Sequence, residues 1–547
     1  MSLTHIGIPA AFVALYAFYY LKDLGKRDDE LPPGWYLPHR PPTIPIFGNM
    51  HHFPKEFAQY KFTEWAQQYG EIFSLKMAGE TTIVLTSIES VRELMDRRSA
   101  TTVDRPSNFV ADRTTSLAGL NMAYARYGES WRCMRRSTHT ILTSQSSTEH
   151  LHIQEAEAAQ LLYDILNEPE KFHSHIRRSC SSVLLSALFG RRAPRCESPE
   201  AEDFFQVQNL WYDALKPGAH STLDLLPVLA NIPEWWSPWK SLSRKIKHLQ
   251  HRLYSGFFDE CEHRVQTGKG TGCFAEQVIE RREELGLSRE QASHLGGVLL
   301  EGGSDTTSSY LQTLVLAMVA YPEVQHKAQA ELDSVVGHDR APAIEDLAAL
   351  PYIQALIKEI HRWRPVQPLL PHGTLSDEHY KGYLIPKDAT IYINNWGIFH
   401  DEKVFENAES FLPERFLKNV HGVRDGVNTR DFRPHLEFGY GRRVCPGIHI
   451  ANNSISLNVM KLLWAFSFTP YVNADTGEAE APDIWNYTKG LHTCPKPFNC
   501  KIMPRYPEIT SIVNRDFFAA APVFQRYEQK LAPEDHDHVT KLRADKY

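Results

Sequence analysis

The chain has 547 residues, 42% hydrophobic, 11% aromatic and 23% charged, which excludes a disordered, collagen-like or low-complexity protein. Its 59 basic and 66 acidic residues leave a net charge of −7, mild and spread along the chain, which argues against nucleic acid as the main ligand. The 8 cysteines are too scattered for a disulfide framework, and no close Cys or His pair has zinc-site spacing, so the body is expected in a reducing compartment.

The first feature in chain order is an apolar run from Ile6 to Leu21, with no charged residue before Lys22. Lys22, Lys26 and Arg27 follow the run, whereas a cleavable signal peptide carries its positive charges in front. Residues 1–22 are therefore expected to form a transmembrane anchor with the body on the cytosolic side. Residues 23–49 hold a charged segment and then Pro32, Pro33, Pro38, Pro41, Pro42 and Pro45. Proline at this density removes amide donors and fixes φ, which predicts an extended linker.

Residues 50–505 read as one body. Strand-like runs at Glu71–Lys76 and Thr82–Leu85 come early. Long amphipathic patterns follow at Glu155–Leu166, Leu242–Val265 and Pro322–Val336, and strand signals return at Thr390–Ile393 and Phe498–Met503. This predicts a mainly α fold with minor β, not alternating βαβ units. Residues 506–547 are expected to pack peripherally through Phe517 and Phe518 and then to fray, with Asp535-His536-Asp537-His538 as a solvated charge run.

Four short patterns within the body carry chemistry. Trp131 and Arg135 lie one helical turn apart, and both can donate to a carboxylate. Ser288 and Gln291 make a capping box that opens a helix running to about Tyr321, where Pro322 stops it. In the apolar middle of that helix stands Gly302-Gly303-Ser304-Asp305-Thr306-Thr307, a break in local propensity of the kind that marks functional sites. Glu359 and Arg362 share a helix face at i and i+3. Last comes Phe438-Gly439-Tyr440-Gly441-Arg442-Arg443-Val444-Cys445-Pro446-Gly447, a glycine-rich loop before a long apolar helix. A cysteine there, beside Arg443 and a helix N-terminus, is placed to be held as thiolate.

That last segment matches Phe-x-x-Gly-x-Arg-x-Cys-x-Gly, the haem-binding signature of the cytochrome P450 family, at Phe438, Gly441, Arg443, Cys445 and Gly447. The chain resembles a membrane-anchored, microsomal cytochrome P450, most like fungal enzymes of secondary metabolism. The resemblance implies a large single-domain fold, with haem b between a long central helix and the helix after the cysteine loop. It makes Cys445 the axial ligand of the haem iron, and Asp305 and Thr306 a catalytic pair that steers protons. It places Phe438 in the cofactor loop, and Trp131, Arg135, His372 and Arg443 as haem-propionate donors. It also makes Glu359, Arg362 and Arg415, the last within Phe411-Leu412-Pro413-Glu414-Arg415-Phe416, a buried structural triad.

The implied reaction is insertion of one atom of O2 into a lipophilic small molecule. Two rivals are a haem-thiolate isomerase or dehydratase working without a reductase, and a haem-thiolate sensor. Members of the isomerase type lack the acid–threonine pair retained at Asp305-Thr306, and nothing here resembles a sensor's output domain. No flavin or nicotinamide glycine motif and no ferredoxin-type cysteine cluster is present, so electrons are expected from NADPH–cytochrome P450 reductase, with cytochrome b5 as a further candidate. Arg132, Arg136, Arg433 and Arg442 are candidates for the reductase-docking surface. By position in the family the pocket draws on residues 106–122, 204–214, 298–302, 366–371 and 488–491. The implied location is the endoplasmic reticulum membrane, single-pass.

Overall fold

The computed structural model describes residues 37–544, apart from 78, 107–118, 216–232, 474, 475 and 491. The helix expected from the capping box runs Arg289–Ala320. Ser288 Oγ accepts from the Gln291 amide at 3.1 Å, and Gln291 Oε1 accepts from the Ser288 amide at 2.9 Å, so two amides that the helix leaves open are closed reciprocally. This central helix is buried on nearly every face. It packs lengthwise on the helix Phe172–Phe189 and crosses the helices Pro238–Thr267 and Ile448–Ala465. Leu311, Leu314 and Val315 join Leu356 and Trp363 of the helix Pro351–Trp363 and Val459, Leu462 and Trp464 of Ile448–Ala465 in the largest apolar core.

The sheets are small and sit at the periphery. β1 (Ile72–Met77) and β2 (Glu80–Leu85) form an antiparallel hairpin, and β3 (Leu369–Gly373) lies at the far edge of the same sheet. β4 (Glu378–Tyr380) and β5 (Tyr383–Ile385) make a separate hairpin. β6 (Thr390–Asn394) completes the order β1-β2-β6-β3, running parallel to β2 and antiparallel to β3. Side chains alternate faces along these strands. Phe73, Leu75 and Val84 meet Phe62 and Trp65 of the helix Ala58–Tyr69, while Ile72, Ile83, Ile391 and Ile393 face Leu94 and Tyr440. A third sheet joins β7 (Phe466–Val472) to β8 (Ala479–Glu480) and β9 (Cys500–Pro504). The mainly α expectation with minor β therefore holds.

The membrane expectation is corrected. Among the described residues no helix is long and apolar enough to cross a membrane. The expected anchor at 1–22 lies outside the described residues. It rested on the hydropathy of one short run, and the transmembrane helix, the membrane as a partner and the endoplasmic-reticulum placement are withdrawn with it.

The described part of the linker has no helix up to Ile44, where, against the expectation of an extended arm, it turns back on itself with a bridge between Ile44 and Gly48, and it is not a free spacer. The Ser74 amide donates to the His39 carbonyl at 2.9 Å, Ser74 Oγ to the Pro38 carbonyl at 2.6 Å, and the Asn49 amide to the Lys76 carbonyl at 2.6 Å. Prolines offer only carbonyls, and β1 with Asn49 supplies the donors, so the arm covers what would be an open sheet edge.

The expected fraying of the C-terminal extension is also corrected. It folds as the helices Glu508–Ala519, Ala521–Gln525 and Pro533–Ala544. Phe517 stacks on Tyr163 with ring centroids 4.2 Å apart, and the Arg192 guanidinium lies 3.7 Å from the Phe524 ring centroid. Arg192 also pairs with Glu528 at 2.6 Å. Within the run read as solvated, Asp535 is wholly buried and pairs with Arg195 at 2.6 Å, whereas His536 and Asp537 are exposed. Truncation after Pro507 is expected to lower stability substantially, since Phe517 and Phe524 contribute about 1.5–3 kcal/mol each by burial. A urea unfolding midpoint unchanged by the truncation would contradict this packing role.

Candidate active site

The cysteine loop is shaped by backbone conformations and contacts that glycine alone accommodates. Gly439 and Gly441 have φ of 88° and 55°, and a Cβ on Gly441 would collide with the Met95 carbonyl. That close approach lets the Gly441 amide donate to Asp96 at 2.8 Å, while Arg433 pairs with the other oxygen of Asp96 at 3.0 Å. The Cys445 amide donates to the Phe438 carbonyl at 2.8 Å and closes the loop, and the helix Ile448–Ala465 begins directly after Gly447.

Burial pushes the Cys445 thiol up, and the groups that oppose it are the Gly447 amide and the Arg135 guanidinium. Arg443, expected to help hold the thiolate, turns elsewhere. It donates to the carbonyls of Val103, Met122 and Ala125 at 2.8, 3.2 and 2.7 Å and lies 4.3 Å from the Trp131 ring centroid. Adjacency in sequence placed the charge beside the sulfur; the loop turns it away.

Cys445 opens on a cavity of about 320 Å³ whose opposite wall is the central helix. Gly302, Gly303, Thr306 and Thr307 line that wall. Thr306 Oγ1 donates to the Gly302 carbonyl one turn back at 2.8 Å, yet the helix stays continuous through it. Asp305, the residue before Thr306, is not part of the cavity lining; its carboxylate oxygen lies 3.9 Å from Arg177. Burial raises its carboxyl above the ordinary aspartate range, against the opposing pull of Arg177 and the Tyr212 hydroxyl.

At another edge of the cavity three guanidinium groups converge: Arg105, Arg135 and Arg443. Their hydrogen bonds go to carbonyls, Arg105 to Ala123 and Pro371 and Arg135 to Val444. Arg135 Nε is buried with no partner among the described residues. Asp104 is nearby, but it already pairs with Arg126 at 2.6 Å. Burial, with the neighbouring arginines adding, brings Arg443 down to about 8; burial brings Arg105 down to about 10. The edge offers concentrated positive charge to an anionic ligand, beside a cavity with a cysteine on its wall. Haem b, which carries two propionates and takes an axial thiolate, fits these residues.

The other expected propionate donors are differently engaged. Trp131 Nε1 donates to the Met122 carbonyl at 3.1 Å. His372 Nδ1 is 3.1 Å from the Thr102 carbonyl, which can only accept, so that nitrogen carries the hydrogen. Burial beside Arg105 and Arg443 holds the imidazole well below its ordinary range and therefore neutral. Phe438 lines the cavity, 5.6 Å from the His361 ring. Arg105 was not foreseen; its one signal is its place immediately before the expected segment 106–122.

Of the expected pocket segments, the wall includes Met122, Trp211, Tyr212, Val298, Gly302 and residues of 366–371. His492 joins it, while 107–118 and 491 lie outside the described residues. Glu301 is on the wall as well, a buried acid within an expected apolar stretch. Elsewhere, Cys261, Cys273 and Glu276 lie within 4.8 Å of one another. Arg264 is already among them, 2.7 Å from Glu276 and 3.2 Å from Cys261 Sγ, and none of the three lines the cavity.

Glu359, Arg362 and Arg415 lie together in one buried cluster. Arg362 grips Glu359 through two bonds at 2.8 and 2.7 Å, and Arg415 reaches Glu359 at 3.1 Å. Glu359 is fully buried, and the leftover donors of both arginines go to the carbonyls of Phe399, Glu406, Ala408 and Ser410.

The sequence model of the cytochrome P450 family matches residues 38–495. The chain is 43% identical to a cytochrome P450 monooxygenase of Armillaria gallica over 512 residues, 93% of this chain and 96% of that one. It is 36% identical to the cytochrome P450 monooxygenase patI of Penicillium expansum over 518 residues, 94% and 96% of the two chains. Among solved structures, a zebra fish cytochrome P450 with abiraterone superposes with a TM-score of 0.65 at 25% identity, covering 82% of this chain and 100% of that one.

Glu359→Gln leaves two buried guanidinium groups without their counter-charge, a change expected to cost about 3–5 kcal/mol. The check is a chemical-denaturation curve of the variant beside wild type. A shift under about 1 kcal/mol would mean the triad is not what holds this region.

Proposed function

The chain belongs to the cytochrome P450 family, and on that footing we propose how its cavity residues divide the work: Cys445 ligates the haem iron, Asp305 and Thr306 manage protons, and Arg105, Arg135 and Arg443 hold the propionates. The enzyme is a haem-thiolate monooxygenase that acts with O2. Substrate, O2, two electrons and two protons become oxygenated product and water. Haem b, when bound, supplies the iron chemistry that splits O2 and oxidises the substrate.

What the protein contributes is placement, dryness and protons. Cys445 provides the sulfur ligand from a loop in which the Gly447 amide, with Arg135 and the following helix N-terminus, favours negative charge on it. Leu184, Leu188, Val298, Trp211 and Ile450 make the wall apolar and limit water in the cavity. Thr306 Oγ1 is on that wall with its hydrogen donated to Gly302. Release of that bond turns the hydroxyl into the cavity as a proton donor. Asp305, the preceding residue, refills it, because a carboxyl raised by burial holds its proton at higher pH than an ordinary aspartate. Arg177, partly exposed and 3.9 Å away, links Asp305 to the surface.

The apolar wall supports a lipophilic small-molecule substrate, and the likeness to fungal monooxygenases supports oxidative tailoring in secondary metabolism. On this reading electrons come from an NADPH-dependent reductase. The exposed Arg132, Arg136 and Arg442 present positive charge for its docking. The observation that carries the whole reading is the single cavity that brings Cys445, the converging guanidinium groups and Thr306 to face one another.

Cys445→Ser and Cys445→His should abolish the strongly red-shifted Soret band of the reduced carbon-monoxide complex that marks thiolate ligation. That band intact in either variant would remove Cys445 as the ligand.

Thr306→Ala should retain haem content and substrate binding but form less product per NADPH, with more hydrogen peroxide released. Equal coupling in variant and wild type would end the proton role of Thr306. Turnover without any reductase would instead favour the isomerase type of chemistry.

A further inference from the structure

The mechanism above leaves one buried carboxyl of the cavity unused. We propose that Glu301 is the specificity-determining residue of the pocket, accepting through Oε2 a hydrogen bond from a hydroxyl or amino donor on the substrate. This rests on reading the cavity as the oxidation site.

Glu301 stands on the central helix one turn before Asp305, only 6% exposed, and lines the cavity. Its Oε1 receives Gln250 Nε2 at 2.8 Å and the Tyr254 hydroxyl, both from the helix Pro238–Thr267. Its carbonyl receives Gln208 Nε2 at 3.0 Å from the helix Pro199–Leu215. Among the described residues nothing donates to Oε2, and Glu301 forms no ion pair.

The arrangement depends on a glycine. A Cβ on Gly297, one turn earlier, would run into the Tyr254 ring. Its absence lets that ring lie against the helix and bring its hydroxyl to Glu301. The carboxyl is thus fixed from behind by Gln250 and Tyr254, with Gln208 holding the backbone carbonyl, and Oε2 is left open on the cavity side. A ligand that displaces cavity water from that oxygen loses a hydrogen bond unless it brings a donor of its own, which makes the oxygen selective for ligands that bring one.

Burial raises Glu301 to about 7, with Asp305 on its own helix adding to the effect. Of the groups facing it, Tyr254, Tyr212 and Tyr124 are pushed above the ordinary tyrosine range by burial. His492 on the cavity wall is pushed down to about 4 and is neutral near pH 7. As pH rises through neutrality Glu301 becomes a carboxylate, the stronger acceptor, so the preference for a donor should grow with pH.

The test uses the haem-loaded full chain and calorimetric binding of a matched pair, 2-naphthol and its methyl ether, which differ by the donor. Wild type is expected to bind the naphthol roughly tenfold more tightly. That ratio should widen between about pH 6 and about pH 8, on either side of the Glu301 titration. Glu301→Leu should bring the ratio close to one without weakening ether binding. Glu301→Gln, which keeps an acceptor oxygen, should retain a preference that no longer varies with pH. A ratio preserved in Glu301→Leu, or one near unity or flat with pH in wild type, overturns the proposal. If the thiolate band is intact while the ratio is flat, this inference alone falls; a wild type without that band would overturn the cavity assignment itself.

Discussion

Three guanidinium groups at one cavity edge, whose hydrogen bonds among the described residues go to backbone carbonyls, are the constraint around which the site is arranged. Arg105, Arg135 and Arg443 come from three separate segments, and their mutual repulsion in a buried place is unfavourable. Carbonyl dipoles from Val103, Met122, Ala123, Ala125 and Val444 moderate it without cancelling it. An anionic ligand removes the conflict, so ligand binding should stabilise the same loops that make the site. The triad at Glu359 is the contrasting case. There two buried arginines have their carboxylate inside the protein, and the region is complete without a ligand.

The central helix reconciles two demands. It must be continuous to carry the core, and it must present polar chemistry at one level. Continuity survives because each irregular residue has a local answer. Thr306 bonds back to Gly302, Ser304 bonds back to Leu300, and Glu301 is held by side chains of two other helices. The polar level is therefore paid for by neighbouring elements, not by a break in the helix.

Much of this was legible in the sequence wherever meaning is local. The capping box at Ser288 and Gln291, the glycine-dependent loop around Cys445 and the Glu359–Arg362 pair are each defined by residues within one or two turns. What was not legible depends on distant partners. Arg105 matters only because chain reversal brings it to Arg443, and Glu301 only because Tyr254 and Gln250 arrive from another helix. Asp535 looked solvated because its partner Arg195 is 340 positions away. The anchor at 1–22 was the opposite case, a local hydropathy signal in a segment that lies outside the described residues. Among the described residues, none of the helices could cross a membrane.

The C-terminal extension shows how such distant pairing reaches the pocket. Arg191 and Arg192 sit in the turn that launches the helix Pro199–Leu215, which carries Trp211 and Tyr212 to the cavity. Arg191 binds Glu200 at the start of that helix, Glu260 of the helix Pro238–Thr267 and the Lys530 carbonyl of the extension. Arg192 binds Glu157 and, in the extension, Glu528, which Arg543 also holds. Buried charges with this many partners fix the turn's position more sharply than apolar packing would, because any displacement leaves one of them unpaired. The helix that presents Tyr212 to Asp305 and Gln208 to Glu301 is therefore registered from outside the matched family segment, by residues beyond position 507.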